Sequence, residues 1–148
     1  MLARDIMTAH PTVVTPDDPI LHAARLMRDR KIGSLPVIED LRTRRLVGIV
    51  TARDIVTRCL AQEHARGCLV RDHMTSVQLQ WVAPDCEVND VVERMKQAQV
   101  RRIPVVDGDR GLVGLIAVAD IARRLRPSHP SAVAELERML WPAGTGSH

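Results

Sequence analysis

The chain has 148 residues, 45% of them hydrophobic, and a formal net charge of +3 from 21 basic and 18 acidic residues. That is enough apolar content for one compact domain, and no stretch approaches the roughly 20 consecutive apolar residues of a membrane span. The N-terminus runs straight into Asp5 with no basic-then-apolar leader, so a cytoplasmic location is expected. With Trp81 and Trp141 as the only aromatic residues, a base-stacking surface for nucleic acid is not expected.

The chain says nearly the same thing twice. Asp5-Ile6-Met7-Thr8 opens it and returns as Asp72-His73-Met74-Thr75. Next, Thr12-Val13-Val14 reads as a short strand closed by Thr15-Pro16-Asp17-Asp18, which holds turn and N-cap chemistry. Ile20, Ala23, Ala24 and Met27 then fall on one helical stripe. An apolar strand over residues 35–38, a polar turn over 39–44 and a β-branched strand over 46–51 follow, leading at once into a helix from Ala52. A linker over 61–71 contains Gly67 and no apolar period.

The second copy sets Pro84-Asp85 ahead of the stripe Val88, Val91, Val92 and Met95. Its strands cover 103–106 and 112–117 around a Gly-rich turn, and its helix begins at Val118. Pro127-Ser128-His129-Pro130 leads into a last helix over 129–141, with the stripe Val133, Leu136, Met139 and Leu140. This helix lies outside the duplication, and its pattern fits either packing on the domain or self-association. From Pro142 a frayed end is expected. Two β-α-β-β-α repeats, residues 4–60 and 72–125, therefore predict an α/β (α+β) fold of two similar halves related by a pseudo-twofold axis. The groove between them is a natural ligand site.

The chemistry concentrates at Gly48-Ile49-Val50-Thr51-Ala52-Arg53-Asp54, a strand running into a helix start. Thr51 and Asp54 both project from the first helical turn, near its free N–H groups and the positive end of its dipole. There Thr51 and the N–H groups suit phosphate, Asp54 suits a ribose diol and Arg53 neutralises phosphate charge. Gly48 would let a ligand approach the strand backbone. The plain alternative is a capping box in which Thr51 is the N-cap and Asp54 its N3 partner.

These features together resemble a tandem pair of CBS domains, or Bateman module: the opening Asp-Ile-Met-Thr, the apolar-Pro-Val strand and the Gly-x-x-Thr-x-x-Asp junction, repeated in order. The compact size, the run Gln99-Val100-Arg101-Arg102-Ile103-Pro104-Val105 and the C-terminal extension are similar to small stand-alone bacterial CBS proteins of the hypoxic response protein type. The resemblance implies a non-enzymatic regulatory module that senses an adenosine nucleotide (AMP, ADP, ATP or S-adenosylmethionine) and signals through a conformational or oligomeric change. By position, Asp54 would hold the ribose and Thr51 and Arg53 the phosphate, with Arg102 and, more weakly, Arg101 supplied by the second repeat. Thr12, Val13 and Ile49 would face adenine.

In the second copy Asp120 is kept, but Ala117 replaces the hydroxyl, and Ala119 and Ser34 stand where Arg53 and Arg102 would correspond. One hydroxyl is worth about 1 kcal/mol and each cation about 1.5–3 kcal/mol, so unequal occupancy of the two sites is expected. The resemblance also implies a homodimer through helices bearing Ile55, Val56, Ile121 and Ala122, residues that would serve equally as core. The effector protein it would address is not named by any motif.

No nucleophile–base set, metal cluster or P-loop is legible, so neither catalytic residues nor a cofactor is expected. Cys59, Cys68 and Cys86 form no CxxC and have no ligand spacing with histidine, which argues against a metal site. Cys59 and Cys68 are left as idle buried thiols or a redox-sensitive bridge, and His10, His22, His64, His73, His129 and His148 have no assigned role. The alternative function, a nucleic-acid-associated regulator, rests on a pI near 9.1 and on Arg42, Arg44 and Arg45 in one turn.

Overall fold

The computed structural model describes residues 1–63 and 67–140, except for the side chains of Met139 and Leu140. His64, His148 and the segment from Trp141 onward lie outside the described residues. In chain order the elements are α1 (Ala3–Ile6), β1 (Thr8–Ala9), α2 (Ile20–Arg30), β2 (Ser34–Ile38), β3 (Leu46–Thr51) and α3 (Ala52–Asp54). The last continues as a π-helical stretch, Ile55–Leu60. Then come α4 (Val70–His73), α5 (Val88–Ala98), β4 (Arg102–Asp107), β5 (Gly111–Ala117), α6 (Val118–Leu125) and α7 (Pro130–Leu140). This is the mixed α/β pattern of small sheets and helices that the sequence leads one to expect.

The chain folds into two compact units whose limits are not those of the repeats. The first unit comprises Thr12–Leu79 with Asp109–Gly111; the second takes Met1–Pro11, Gln80–Gly108 and the chain from Leu112. The opening segment of each repeat is therefore built into the other repeat's unit. In the second unit Thr8 pairs with Leu115 and Ala9 with Gly114, giving the sheet order β1-β5-β4. In the first, Thr75 and Ile49 exchange backbone hydrogen bonds at 2.8 and 2.9 Å beside the β2-β3 hairpin. Part of the expected linker is thus structured, with α4 beginning at Val70.

The same exchange appears in the cores. Ala3 and Ile6 pack with Val91, Met95, Ile103 and Ile116, whereas Val70 packs with Ala23, Leu35, Val37 and Val50. Helices α2 and α5 bury the expected stripes, Ile20, Ala23 and Met27 in one and Val88, Val91 and Met95 in the other. Neither has a side-chain N-cap. Instead Ile20 N–H donates to the Cys68 carbonyl (2.9 Å), and Val88 N–H to the Met1 carbonyl (3.0 Å). Asp18, read as helix-start chemistry, closes the preceding turn by accepting Thr15 N–H at 2.8 Å. Both helices end on a left-handed residue, Lys31 (φ 56°) and Gln99 (φ 55°), with Ile32 N–H and Val100 N–H turning back to the Met27 and Met95 carbonyls.

The expected strand at Thr12-Val13-Val14 shrinks to one parallel bridge, Val14 to Val37, mirrored by Val82 to Val105. Proline is the physical reason: Pro11 and Pro16 on one side, and Pro84 on the other, have no N–H to extend a ladder. Gly48 also differs from its expected role. A Cβ there would stand 2.9 Å from Met74 Sδ and 3.0 Å from the Thr75 carbonyl, so the close approach is by the chain itself. Gly114 is crowded in the same way by Met7. The last helix packs on the second unit, with Val133 and Leu136 each 1% exposed. Among the described residues no helix is long and apolar enough to cross a membrane.

Candidate functional site

Strand β3 delivers Thr51 to the helix start in extended conformation (φ −116°, ψ 160°), where it becomes the N-cap of α3. Thr51 N–H donates to Asp54 Oδ2 and Asp54 N–H donates to Thr51 Oγ1, each at 3.0 Å. The capping box is therefore real. It does not exhaust either side chain. A hydroxyl that accepts still has its own hydrogen to donate, and Asp54 Oδ1 faces Arg58 Nε at a loose 3.7 Å. The Asp54 side chain is 13% exposed, largely shielded from solvent.

Around this junction Ala52 N–H donates to the Gly33 carbonyl (2.9 Å), and Ser34 pairs with Thr51 across the hairpin. Arg53 is exposed on the first turn, and Thr12, Val13 and Ile49 are half-buried. All six of these residues, Thr12, Val13, Ile49, Thr51, Arg53 and Asp54, belong to the first unit.

Asp120, Arg101 and Arg102 belong to the second unit. Ala117 N–H donates to Asp120 Oδ2 at 2.9 Å, but a methyl group stands where Thr51 has its hydroxyl. Asp120 Oδ1 is taken by Arg123 Nη2 at 3.1 Å. Arg101 contributes its carbonyl, which accepts Val118 N–H at 3.0 Å, and Arg102 opens β4; both side chains are half-buried. The carboxylate of this copy is thus more fully engaged than that of the first.

Of the four helix residues weighed for dimer contact, Ile55, Ile121 and Ala122 are at most 7% exposed, while Val56 is 54% exposed. Leu60, one turn on from Val56, is equally exposed.

Sequence reasoning passed over two features of the first unit. One is Arg58, whose i, i+4 spacing from Asp54 was there to be read. Its guanidinium reaches from Asp54 to the His73 carbonyl, to which Nη1 donates at 3.3 Å. The other is the place of His73 beside Cys59 and Cys68, two thiols weighed only as idle or as a bridge and read against a metal site: the ligand atoms of all three lie within 4.8 Å of one another. Spacing could not show it, because Cys59 comes from the π-helical stretch, His73 from α4 and Cys68 from the segment between. Burial pushes the Cys59 thiol above its ordinary pKa, and the neighbouring Cys68 thiol adds to the shift.

The CBS domain family model matches this chain twice, over residues 3–61 and 70–127. Hypoxic response protein 1 of Mycobacterium tuberculosis is 37% identical over 127 residues, 86% of each chain. A crystal structure of Hypoxic Response Protein I with two coordinated zinc ions superposes with a TM-score of 0.75 at 35% identity, covering 84% of this chain and 99% of that one. CBSX2 in complex with AMP gives 0.74 at 28% identity, over 85% and 96% of the two chains. The CBS domain pair of protein MJ0100, in complex with 5′-methylthioadenosine and S-adenosyl-L-methionine, gives 0.72 at 29%, over 86% and 97%.

Proposed function

The chain belongs to the CBS domain family, and we propose that it is a regulatory module that binds an adenosine nucleotide at the Thr51–Asp54 junction. Asp54 Oδ1 accepts hydrogen bonds from the ribose hydroxyls. The Thr51 hydroxyl donates its remaining hydrogen to a phosphate oxygen, and exposed Arg53 supplies a charge-assisted contact. Ile49, Thr12 and Val13 offer the apolar and backbone surface for adenine. Two solved relatives hold adenosine compounds, AMP in CBSX2 and S-adenosylmethionine in MJ0100, which supports this ligand class. The module carries no chemistry of its own; binding shifts its conformation or self-association, and an effector protein responds to that shift. The exposed pair Val56 and Leu60 is the apolar helix face offered for a homodimer.

The observation that carries this reading is the contrast between the two junctions. In the first, Asp54 Oδ1 has only the loose 3.7 Å pairing with Arg58 and one hydroxyl hydrogen lies outside the capping box; in the second, Arg123 holds the corresponding oxygen at 3.1 Å and the hydroxyl is missing. Calorimetric titration with AMP, ADP, ATP and S-adenosylmethionine tests it. At least one of these should bind saturably, and Asp54→Asn should weaken it about tenfold or more through loss of a charge-assisted bond, while Asp120→Asn leaves it within about twofold. Equal losses in the two variants, or no binding of any of the four, would refute the assignment.

A further inference from the structure

The geometry points to a second site in the first unit, a zinc-class divalent cation held by the thiolates of Cys59 and Cys68 and the imidazole of His73. Three features carry it. Two sulfurs and a ring nitrogen are the donor set that borderline-soft cations prefer, and their ligand atoms already lie within 4.8 Å of one another. Zinc bonds of about 2.3 Å to sulfur and about 2.0 Å to nitrogen place tetrahedral ligands roughly 3.5–3.8 Å apart, so modest side-chain rotations close the set.

The scaffold is firm at all three corners. Cys59 is 1% exposed within the core of the unit, and His73 is 5% exposed at the end of α4. The backbone of Cys68 is pinned by its carbonyl, which accepts Ile20 N–H from the start of α2.

The third feature is access from solvent. Cys68 and His73 also line a cleft of about 530 Å³, together with Thr57, Arg58, Gln62 and Asp72. Two of the three ligands thus border the cleft, and a site with three protein ligands leaves the fourth place to water or to a small exogenous donor reaching it from there. On binding, each thiol that becomes a ligand gives up its proton to solvent, and no electron is transferred. The ion would join the π-helical stretch that follows α3 to α4, whose following residues, Met74 and Thr75, lie against Gly48 and Ile49 of β3. This site shares no ligand with the proposed nucleotide junction, so either can fail without the other.

The test uses the full chain, reduced with a phosphine and freed of metal, titrated with zinc against a chromophoric chelator and with cobalt(II) as a spectroscopic probe. One ion per chain is expected, with a thiolate-to-cobalt charge-transfer band and the visible bands of a tetrahedral ion. Cys68→Ser and His73→Gln should each weaken zinc by about a hundredfold or more, and zinc should raise the melting temperature of the wild type but not of Cys68→Ser. Cys68 is half-buried, so its variant stays informative even if substitution at buried Cys59 impairs folding. Absence of the charge-transfer band, zinc affinity unchanged in Cys68→Ser, or a Cys59–Cys68 disulfide as the only chemistry seen would overturn the proposal.

Discussion

Thr51 and Asp54 hold each other's backbone: each N–H donates to the other's side chain at 3.0 Å, across the point where β3 becomes α3. The arrangement stabilises the helix start and fixes both side chains in the orientation a ligand would meet. A binding group that also caps a helix is pre-ordered, so little side-chain entropy is lost when ligand arrives. The second copy keeps half of this device, Ala117 N–H to Asp120, and lacks the other half.

That asymmetry predicts opposite effects of exchanging the two residues. Thr51→Ala should destabilise the protein by about 1 kcal/mol, the usual worth of an N-cap side chain. Ala117→Thr should stabilise it by up to about the same amount, because it gives Asp120 N–H an acceptor. Urea unfolding midpoints at an unchanged m-value check both signs.

Crowding at the two glycines predicts that neither tolerates a methyl group. Gly48→Ala would press on Met74 Sδ and on the Thr75 carbonyl, and should cost about 1–3 kcal/mol. Adding Met74→Ala should recover little of it: the carbonyl at 3.0 Å stays, and a half-buried side chain is lost. Thermal unfolding of the single and double variants reads this directly.

The last helix belongs to the fold of the second unit. Leu136→Ala removes a side chain that is 1% exposed within that unit's core, and should cost about 2–5 kcal/mol. Arg126, before the helix, and Glu137 on it form an ion pair that is partly exposed, so Glu137→Gln should cost under about 1 kcal/mol. Chemical denaturation of both variants separates core packing from surface charge.

Much of this architecture is written in the repeat itself. The stripes of α2 and α5, the hairpins and the strand-to-helix junctions follow from periodicity and turn chemistry, which are local properties. The family read from those motifs is the one the chain belongs to. What escaped is non-local. Nothing near Met7 or Met74 announces that each opening segment joins the other repeat's unit, because the partner glycines lie far along the chain. Pro11, Pro16 and Pro84 were in plain view, yet their joint effect, a strand cut down to one bridge, needs the partner strand to be seen. Cys59, Cys68 and His73 fit no spacing rule because three separate segments carry them. The meaning of Gly48 changed for the same reason: its space is filled by the chain's own methionine.

The central claim, an adenosine nucleotide at the Thr51–Asp54 junction, is met most directly by amide chemical shifts recorded during titration with AMP. The amides of Thr51 and Asp54 take part in the capping box and should register any ligand drawn to those side chains. The account predicts saturable shifts centred on Thr51, Arg53 and Asp54, with a midpoint moved about tenfold or more to higher AMP in Asp54→Asn. Saturable binding whose largest shifts fall elsewhere, with these three amides unmoved, would contradict it.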